Sequence, residues 1–157
     1  VFVAMAGEKL NCNRSRVYCY VKEKGYKCIS YVSSKAFVWP NVEIGENCFI
    51  LENNTLQPFS KVGNNVVMWS GNHLGHHSVV KDNCFITSHC VICGCSEIGE
   101  NSYLGVNCSV ADYVKVSADN FIAMGAVDNK NTKENGLYIG NPAKRADISA
   151  KEYCGVI

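Results

Sequence analysis

Residues 74–98 read LGHHSVVKDNCFITSHCVICGCSEI, and every sixth residue from Leu74 is a large aliphatic: Leu74, Val80, Ile86, Ile92 and Ile98. The period continues in both directions without a break. Toward the N-terminus it takes in Met68, Val62, Leu56, Ile50, Ile44 and Val38; toward the C-terminus it takes in Leu104, Val110, Val116 and Ile122. An α-helix repeats every 3.6 residues and a strand every two, so neither produces a period of six. A β-helix with three flat faces per turn does, because each face sends one large side chain inward and three faces close a coil. The spacing predicts a mainly β chain, a left-handed parallel β-helix of about five coils over 38–127.

A second column supports the register. Four residues after each large one sit small or medium side chains, among them Cys48, Asn54, Ser60, Asn72, Ser78, Cys84, Cys90, Ser96, Ser102 and Cys108. They suit the tight corners of a triangular interior. The residue after the large one is often glycine (Gly45, Gly63, Gly75, Gly99, Gly105), which reads as a corner needing unusual dihedrals.

The repeat changes how the ten cysteines are read. A short chain with this many would ordinarily suggest a disulfide framework. Here Cys48, Cys84, Cys90 and Cys108 fall in the small inward column and have a packing role. Cys12, Cys19, Cys28, Cys93, Cys95 and Cys154 fit free thiols in a reducing cytoplasm. Cys90 and Cys93 form a CxxC by spacing, but one points inward and the other lies at an outward corner, so no shared metal is expected.

The flanks read differently. Residues 1–5 have the composition of a buried strand. Residues 10–24 carry helical spacing through Leu10, Val17, Tyr20 and Val21, with Gly25 as the stop, and 26–32 read as another strand. This predicts a partial N-terminal Rossmann-like α/β piece over 1–34, without the glycine-rich phosphate loop. The chain opens at Val1 inside an apolar stretch, and the expectation is that N-terminal residues have been lost. At the other end 128–136 is a polar loop, GLYIGNPAKRA (136–146) returns as a strand, and 147–157 is a short tail; 128–157 would cap the helix. A net charge of +1 with no basic block argues against a nucleic-acid surface. No apolar run approaches the roughly 18 residues of a membrane span.

The hexapeptide period, SGNHLGHHSVVKDNCFI (70–86) and YIGNPAKR (138–145) together resemble the sugar acyltransferases of the sialic-acid O-acyltransferase type, which include N-acetyltransferases of nucleotide-linked aminosugars for bacterial surface glycans. The resemblance implies a homotrimer with acetyl-CoA between neighbouring β-helices and a small N-terminal domain that holds the nucleotide sugar. It implies His76 as the catalytic base, with His77 standing where the family usually has an acid. It places the thioester near Phe85, Gly94, Val106 and Met124, with Phe85 in place of a His found in some members and Met124 in place of a common glycine. Gly125, Asn141, Pro142 and Lys144 are further candidates for holding CoA, with Lys144 or Arg145 near a phosphate. Asn72 and His73 are candidates for orienting the sugar.

The chemistry suits these residues. Acyl transfer from a thioester to an amine needs a proton acceptor, stabilisation of the carbonyl oxygen, and two substrates held in contact. Histidine serves the first need. A backbone N–H at a corner serves the second, with Gly94 the candidate. The CoA thiolate is a good leaving group, so no cysteine has to act as nucleophile, and no resident metal is expected. His89 reads as a surface or interface residue, and Trp39 and Trp69 as packing between subunits or on the caps. Three alternatives stay open: O-acetylation of a sugar hydroxyl, a β-helix metalloenzyme of the carbonic-anhydrase type drawing on His73, His76, His77 and His89, and a non-catalytic product whose sugar site is incomplete.

Overall fold

The computed structural model describes residues 1–157. From Tyr31–Val32 to Val127–Asp128 the chain forms seventeen two-residue strands, one every six residues. Each of the first fourteen pairs in parallel with the strand one coil further on, as in Phe85↔Tyr103, Val91↔Ser109 and Glu97↔Lys115. The strands stack into three sheets of eight, six and five strands, the first including two strands from beyond the repeat. The result is a parallel β-solenoid of about six turns. The solenoid therefore starts earlier than 38: Val32 is itself one step of six before Val38, and Tyr31–Val32 pairs with Phe49–Ile50.

The large column fills the interior. Ile50, Leu56, Met68, Leu74, Val80, Ile86, Ile92, Ile98, Leu104 and Ile122 are all fully buried. Burying each such side chain is worth about 1.5–3 kcal/mol relative to leaving it exposed. The small column does more than save space. Its side chains donate to backbone carbonyls at the corners: Ser78 Oγ to Cys93 O at 2.7 Å, Asn54 Nδ2 to Trp69 O at 2.8 Å, and Cys84 Sγ to Gly99 O at 3.1 Å. Corners leave carbonyls outside the ladders, and these donors satisfy them.

The corners correct the reading of the glycines. Gly45, Gly63, Gly75, Gly99 and Gly105 do not have positive φ. Glycine is required there by close approach: a Cβ on Gly99 would stand 2.5 Å from Ala118 N, and one on Gly75 2.6 Å from Gly94 N, both on the next coil. The left-handed residue comes two positions later and forms its own column of period six. That column runs from Asn47 through Asn53, Phe59, Asn65, Gly71, His77, Asn83, His89, Cys95, Asn101, Asn107, Tyr113 and Asp119 to Gly125.

The three outer faces differ in chemistry. One presents Tyr31, Phe49, Val67, Phe85, Tyr103 and Phe121, the aromatic face. A second presents Glu43, Lys61, Val79, Glu97 and Lys115, the charged face, with an exposed Lys61–Glu43 pair at 2.9 Å. The third presents Phe37, Thr55, His73, Val91, Ser109 and Val127, the mixed face.

The flanks cover the aromatic face. Phe2 packs on Phe49, Gly7 lies against Phe85, and Tyr153 meets Phe121 edge-on. Helix α1 (Cys12–Glu23) forms close to where helical spacing predicted it and ends at Gly25, φ 79°. It does not dock through a stripe of Val17, Tyr20 and Val21; Tyr20 is exposed. It docks through buried Leu10 just before it and buried Arg14, whose guanidinium donates to Val3 O, Met5 O and Asn47 O. Residues 1–5 form no assigned strand, and of 26–32 only Tyr31–Val32 does, as the first rung of the solenoid. At the C-terminus, Gly136–Ile139 joins the aromatic sheet beside Phe121–Ile122 and turns into antiparallel Lys144–Ser149, so the predicted single strand is a hairpin. Helix α2 (Ala150–Tyr153) follows, with a Ser149/Glu152 capping box. No helix is long and apolar enough to cross a membrane.

Candidate functional site

Seven of the sequence candidates fall on two different corners of the coil, separated by the mixed face. The corner between the mixed and charged faces, residues 75–78, 93–96 and 111–114, carries His76, His77 and Gly94. The corner between the aromatic and mixed faces, residues 69–72, 87–90, 105–108 and 123–126, carries Asn72, Val106, Met124 and Gly125.

At the first corner, His76 lies against Gly94 of the next coil. A Cβ on Gly94 would stand 2.8 Å from both Cε1 and Nε2 of His76. The Gly94 N–H donates to no group in the chain. The glycine thus leaves room for the imidazole and also leaves a free donor beside it. The other ring nitrogen, His76 Nδ1, is 3.1 Å from His77 Nδ1. His77 is in the left-handed region, φ 59°, and its ring stacks on Phe59 with centroids 4.8 Å apart. Both histidines are exposed.

Two residues of this corner were missed from sequence. Asp112 lies one coil beyond Gly94, and its Oδ1 would be 3.3 Å from the same Cβ position, so His76 and Asp112 flank one small space. Cys95 lies one coil beyond His77; a ligand atom from each of His76, His77 and Cys95 falls within 4.8 Å of the others. A step of eighteen from His76 reaches Gly94 and Asp112, and the same step from His77 reaches Cys95, so the signal was present in the register.

At the second corner, Val106, Asn107, Met124 and Gly125 line a recess of about 380 Å³. Val106 and Met124 are exposed. The Gly140–Lys144 turn docks beside it, with Ala143 N donating to Val127 O at 2.8 Å and Val127 N to Gly140 O at 3.0 Å. Asn141, Pro142 and Lys144 are exposed on that turn, and Arg145 donates to Asn135 O at 3.3 Å. A larger crevice, about 540 Å³, opens from Val106 to Trp69, Phe85 and the Ala6–Glu8 segment. Phe85 itself is buried in a stacked ladder, with Tyr103 at 5.4 Å and Tyr103 to Phe121 at 4.7 Å, so only its edge lines the crevice.

The remaining candidates separate. Asn72 is buried, with Oδ1 accepting from Cys90 N at 2.7 Å and Nδ2 donating to Trp69 O at 2.6 Å; its amide is spent inside the coil and is not presented to a substrate. His73 points out of the mixed face, and His89 sits at the second corner, its ring over Gly71. The four histidines therefore do not form one cluster. The Cys90–Cys93 pair holds no grouping either, since Cys90 is fully buried and hydrogen-bonds inward to Gly105 O at 3.3 Å. All ten cysteines are free.

No protein-family model matches the sequence. Solved structures do share the fold. Perosamine N-acetyltransferase from Caulobacter crescentus, a single-residue variant in complex with CoA and GDP-perosamine, is 23% identical, with 94% of this chain and 69% of that chain covered at a TM-score of 0.89. The acetyltransferase domain of PglB from Neisseria gonorrhoeae, in complex with acetyl coenzyme A, is 21% identical, with 88% and 67% covered at a TM-score of 0.85. AntD, an N-acyltransferase from Bacillus cereus in complex with dTDP and 3-hydroxybutyryl-CoA, is 11% identical, with 88% and 92% covered at a TM-score of 0.72. At these identities the likeness establishes that the chain shares the fold of these three proteins.

Proposed function

We propose that this chain is a CoA-dependent acyltransferase that moves an acetyl group onto the amino group of a nucleotide-linked aminosugar, with His76 as general base. The observation that carries this reading is the corner where the Nε2 edge of His76 lies against Gly94, whose N–H has no acceptor in the chain. A base and a free backbone donor side by side are what attack on a thioester carbonyl requires. The reading is supported by the shared fold with proteins bound to CoA, GDP-perosamine and dTDP.

In this mechanism the His76 Nδ1–H donates to His77 Nδ1, which leaves the Nε2 lone pair free. The sugar amine attacks the carbonyl carbon while Nε2 takes its proton. The Gly94 N–H donates to the carbonyl oxygen as charge builds there. The carbon–sulfur bond then breaks, and CoA leaves as the thiolate. Val106, Met124 and Gly125, with the Asn141–Lys144 turn, would hold the pantetheine arm, since their recess is open, largely apolar and close to an exposed lysine.

The finer architecture belongs to the same proposal. The solenoid is taken as left-handed, with 35–127 as the acyltransferase domain and 128–157 as its cap. Residues 1–34 are taken as the end of a Rossmann-like domain for the nucleotide sugar. In support, Val1 N donates to Lys27 O and Ile29 N to Val1 O, the pattern of a parallel pair joined through α1. The assembly is a homotrimer, in the cytoplasm, serving surface-glycan synthesis.

The test is thiol release from acetyl-CoA with a panel of GDP-, UDP- and dTDP-linked aminosugars and matched hydroxyl sugars. Release with at least one amine is expected. His76→Ala should lower kcat by roughly 10²–10⁴-fold while CoA binding persists. Release with hydroxyl sugars alone would reassign the enzyme to O-acetylation, and undiminished turnover in His76→Ala would remove the base assignment.

A further inference from the structure

We propose that the corner holding His76 is also a transition-metal site. His76 Nδ1, His77 Nδ1 and the Cys95 thiolate would bind a borderline divalent cation of the zinc class.

Three features of this corner converge. The first is the geometry. The two Nδ1 atoms face each other at 3.1 Å, and one ligand atom from each of His76, His77 and Cys95 lies within 4.8 Å of the others. Two nitrogens bound tetrahedrally to zinc at about 2.0–2.1 Å sit roughly 3.3 Å apart, so the imidazoles are already spaced for one ion.

The second is where the residues stand in the coil. The other two corners fill their left-handed positions mostly with Asn, Asp and Gly, the residues that tolerate this backbone. The corner with Phe59 (φ 61°), His77 (φ 59°), Cys95 (φ 57°) and Tyr113 (φ 62°) does not. Holding a side chain such as Cys in this region costs about 1–2 kcal/mol, and the middle two of these four, on adjacent coils, are metal-ligating types.

The third is rigidity. Cys95 N donates to His76 O at 2.9 Å, which ties the two coils together, and the stack on Phe59 fixes the His77 ring. The ligands are thus preorganised, and the exposure of both histidines gives an ion access.

Nitrogen and sulfur donors select zinc-like ions over magnesium or calcium. Three protein ligands leave a fourth position for water, as in open rather than closed zinc sites. Binding converts the Cys95 thiol to a thiolate and releases its proton to solvent, so affinity falls as pH falls. Coordination at Nδ1 also leaves the His76 ring proton on Nε2, the nitrogen the transfer reaction needs free. Metal binding and acetyl transfer then exclude each other; this consequence alone rests on the reading of His76 as base.

The experiment uses cobalt(II) as the probe, titrated into EDTA-treated protein. One equivalent should produce a thiolate-to-cobalt charge-transfer band with tetrahedral d–d bands, and zinc should displace it. His77→Asn and Cys95→Asn place at each left-handed position the residue that Asn83 and Asn101 already supply elsewhere, so the coil is kept, as circular dichroism would check. Each should weaken binding at least tenfold, and Cys93→Ser should leave it unchanged. No band, or a band that persists in Cys95→Asn, overturns the site. The readout needs no turnover, so it stands or falls apart from the acyltransferase reading. With an active preparation, one equivalent of zinc should suppress transfer in the parent chain and leave Cys95→Asn active. Full turnover of the zinc-loaded parent would overturn the mutual exclusion.

Discussion

His77 occupies the position from which a carboxylate would best support His76. In the proposed reaction it accepts the Nδ1–H of His76 and so fixes the tautomer that leaves Nε2 free. A neutral imidazole accepts that bond less strongly once His76 is protonated than a carboxylate would. Hydrogen bonds to charged groups exceed neutral ones by about 1 kcal/mol. His77→Glu is therefore expected to raise kcat/KM about fivefold and to move the acid limb of its pH profile to higher pH; an unmoved profile would show that His77 does not act through His76. A second residue gives a prediction about stability. Asp128 pairs with Val110 at a step where the interior column calls for an aliphatic, and it is buried with Oδ2 unpartnered. Burial pushes its carboxyl up to about 6. The folded chain then holds a proton that the unfolded chain has lost, so stability falls as pH rises from about 4 to about 6 and levels off above that. The loss should be on the order of 2 kcal/mol. Asp128→Val should remove this part of the slope in urea titrations and be more stable at pH 7. A slope unchanged in the variant would mean the carboxyl is solvated in solution.

At the scale of the coil, two columns of period six govern substitution in opposite ways. Gly99→Ala puts a methyl 2.5 Å from Ala118 N and should cost about 1–3 kcal/mol, because neither coil can move without breaking its ladder. Tyr113→Asn replaces a residue held at φ 62°, whose side chain is 75% exposed, and should gain about 1 kcal/mol. Paired thermal melts would check both, and equal effects of one sign would undo the assignment of the columns. The same columns explain what could be read in advance. The interior residues were plain because apolar side chains recur at every step. The left-handed column is equally periodic, through Asn47, Asn53, Asn65, Asn83, Asn101 and Asn107, but it is masked by the glycines two positions earlier, whose role is close approach and not φ. Pairs such as His76 with Asp112 were hidden for a simpler reason: they are neighbours only at a step of eighteen. The first thirty residues were least legible. Their docking rests on buried Leu10 and on buried Arg14, whose guanidinium ties Val3 O and Met5 O of the flank to Asn47 O of the solenoid, and such contacts leave no periodic trace.

At the scale of the whole molecule, the distribution of chemistry over the three faces argues for assembly. The flanks cover the aromatic face, and the charged face, with its Glu and Lys residues, suits water. The mixed face is left open with Phe37 57% exposed and Val91 40% exposed. It also lies between the two corners that carry the candidate residues, so one chain cannot bring His76 and the Val106–Met124 recess together. A second copy can, if the His76 corner of one chain meets the recess of the next. Such a contact joins two different surfaces, and contacts of that kind close as rings or run on as filaments. The proposed homotrimer is such a ring, and it would carry a composite site at each junction. Mass measurement in solution is expected to give three copies. Val91→Glu, at the middle of the open face, should yield a folded monomer that has lost acetyl transfer by at least a hundredfold, since proximity of base and thioester would be lost with the neighbour. A monomeric variant with full activity would show that both substrates are held by a single chain, and would move the thioester away from Val106 and Met124.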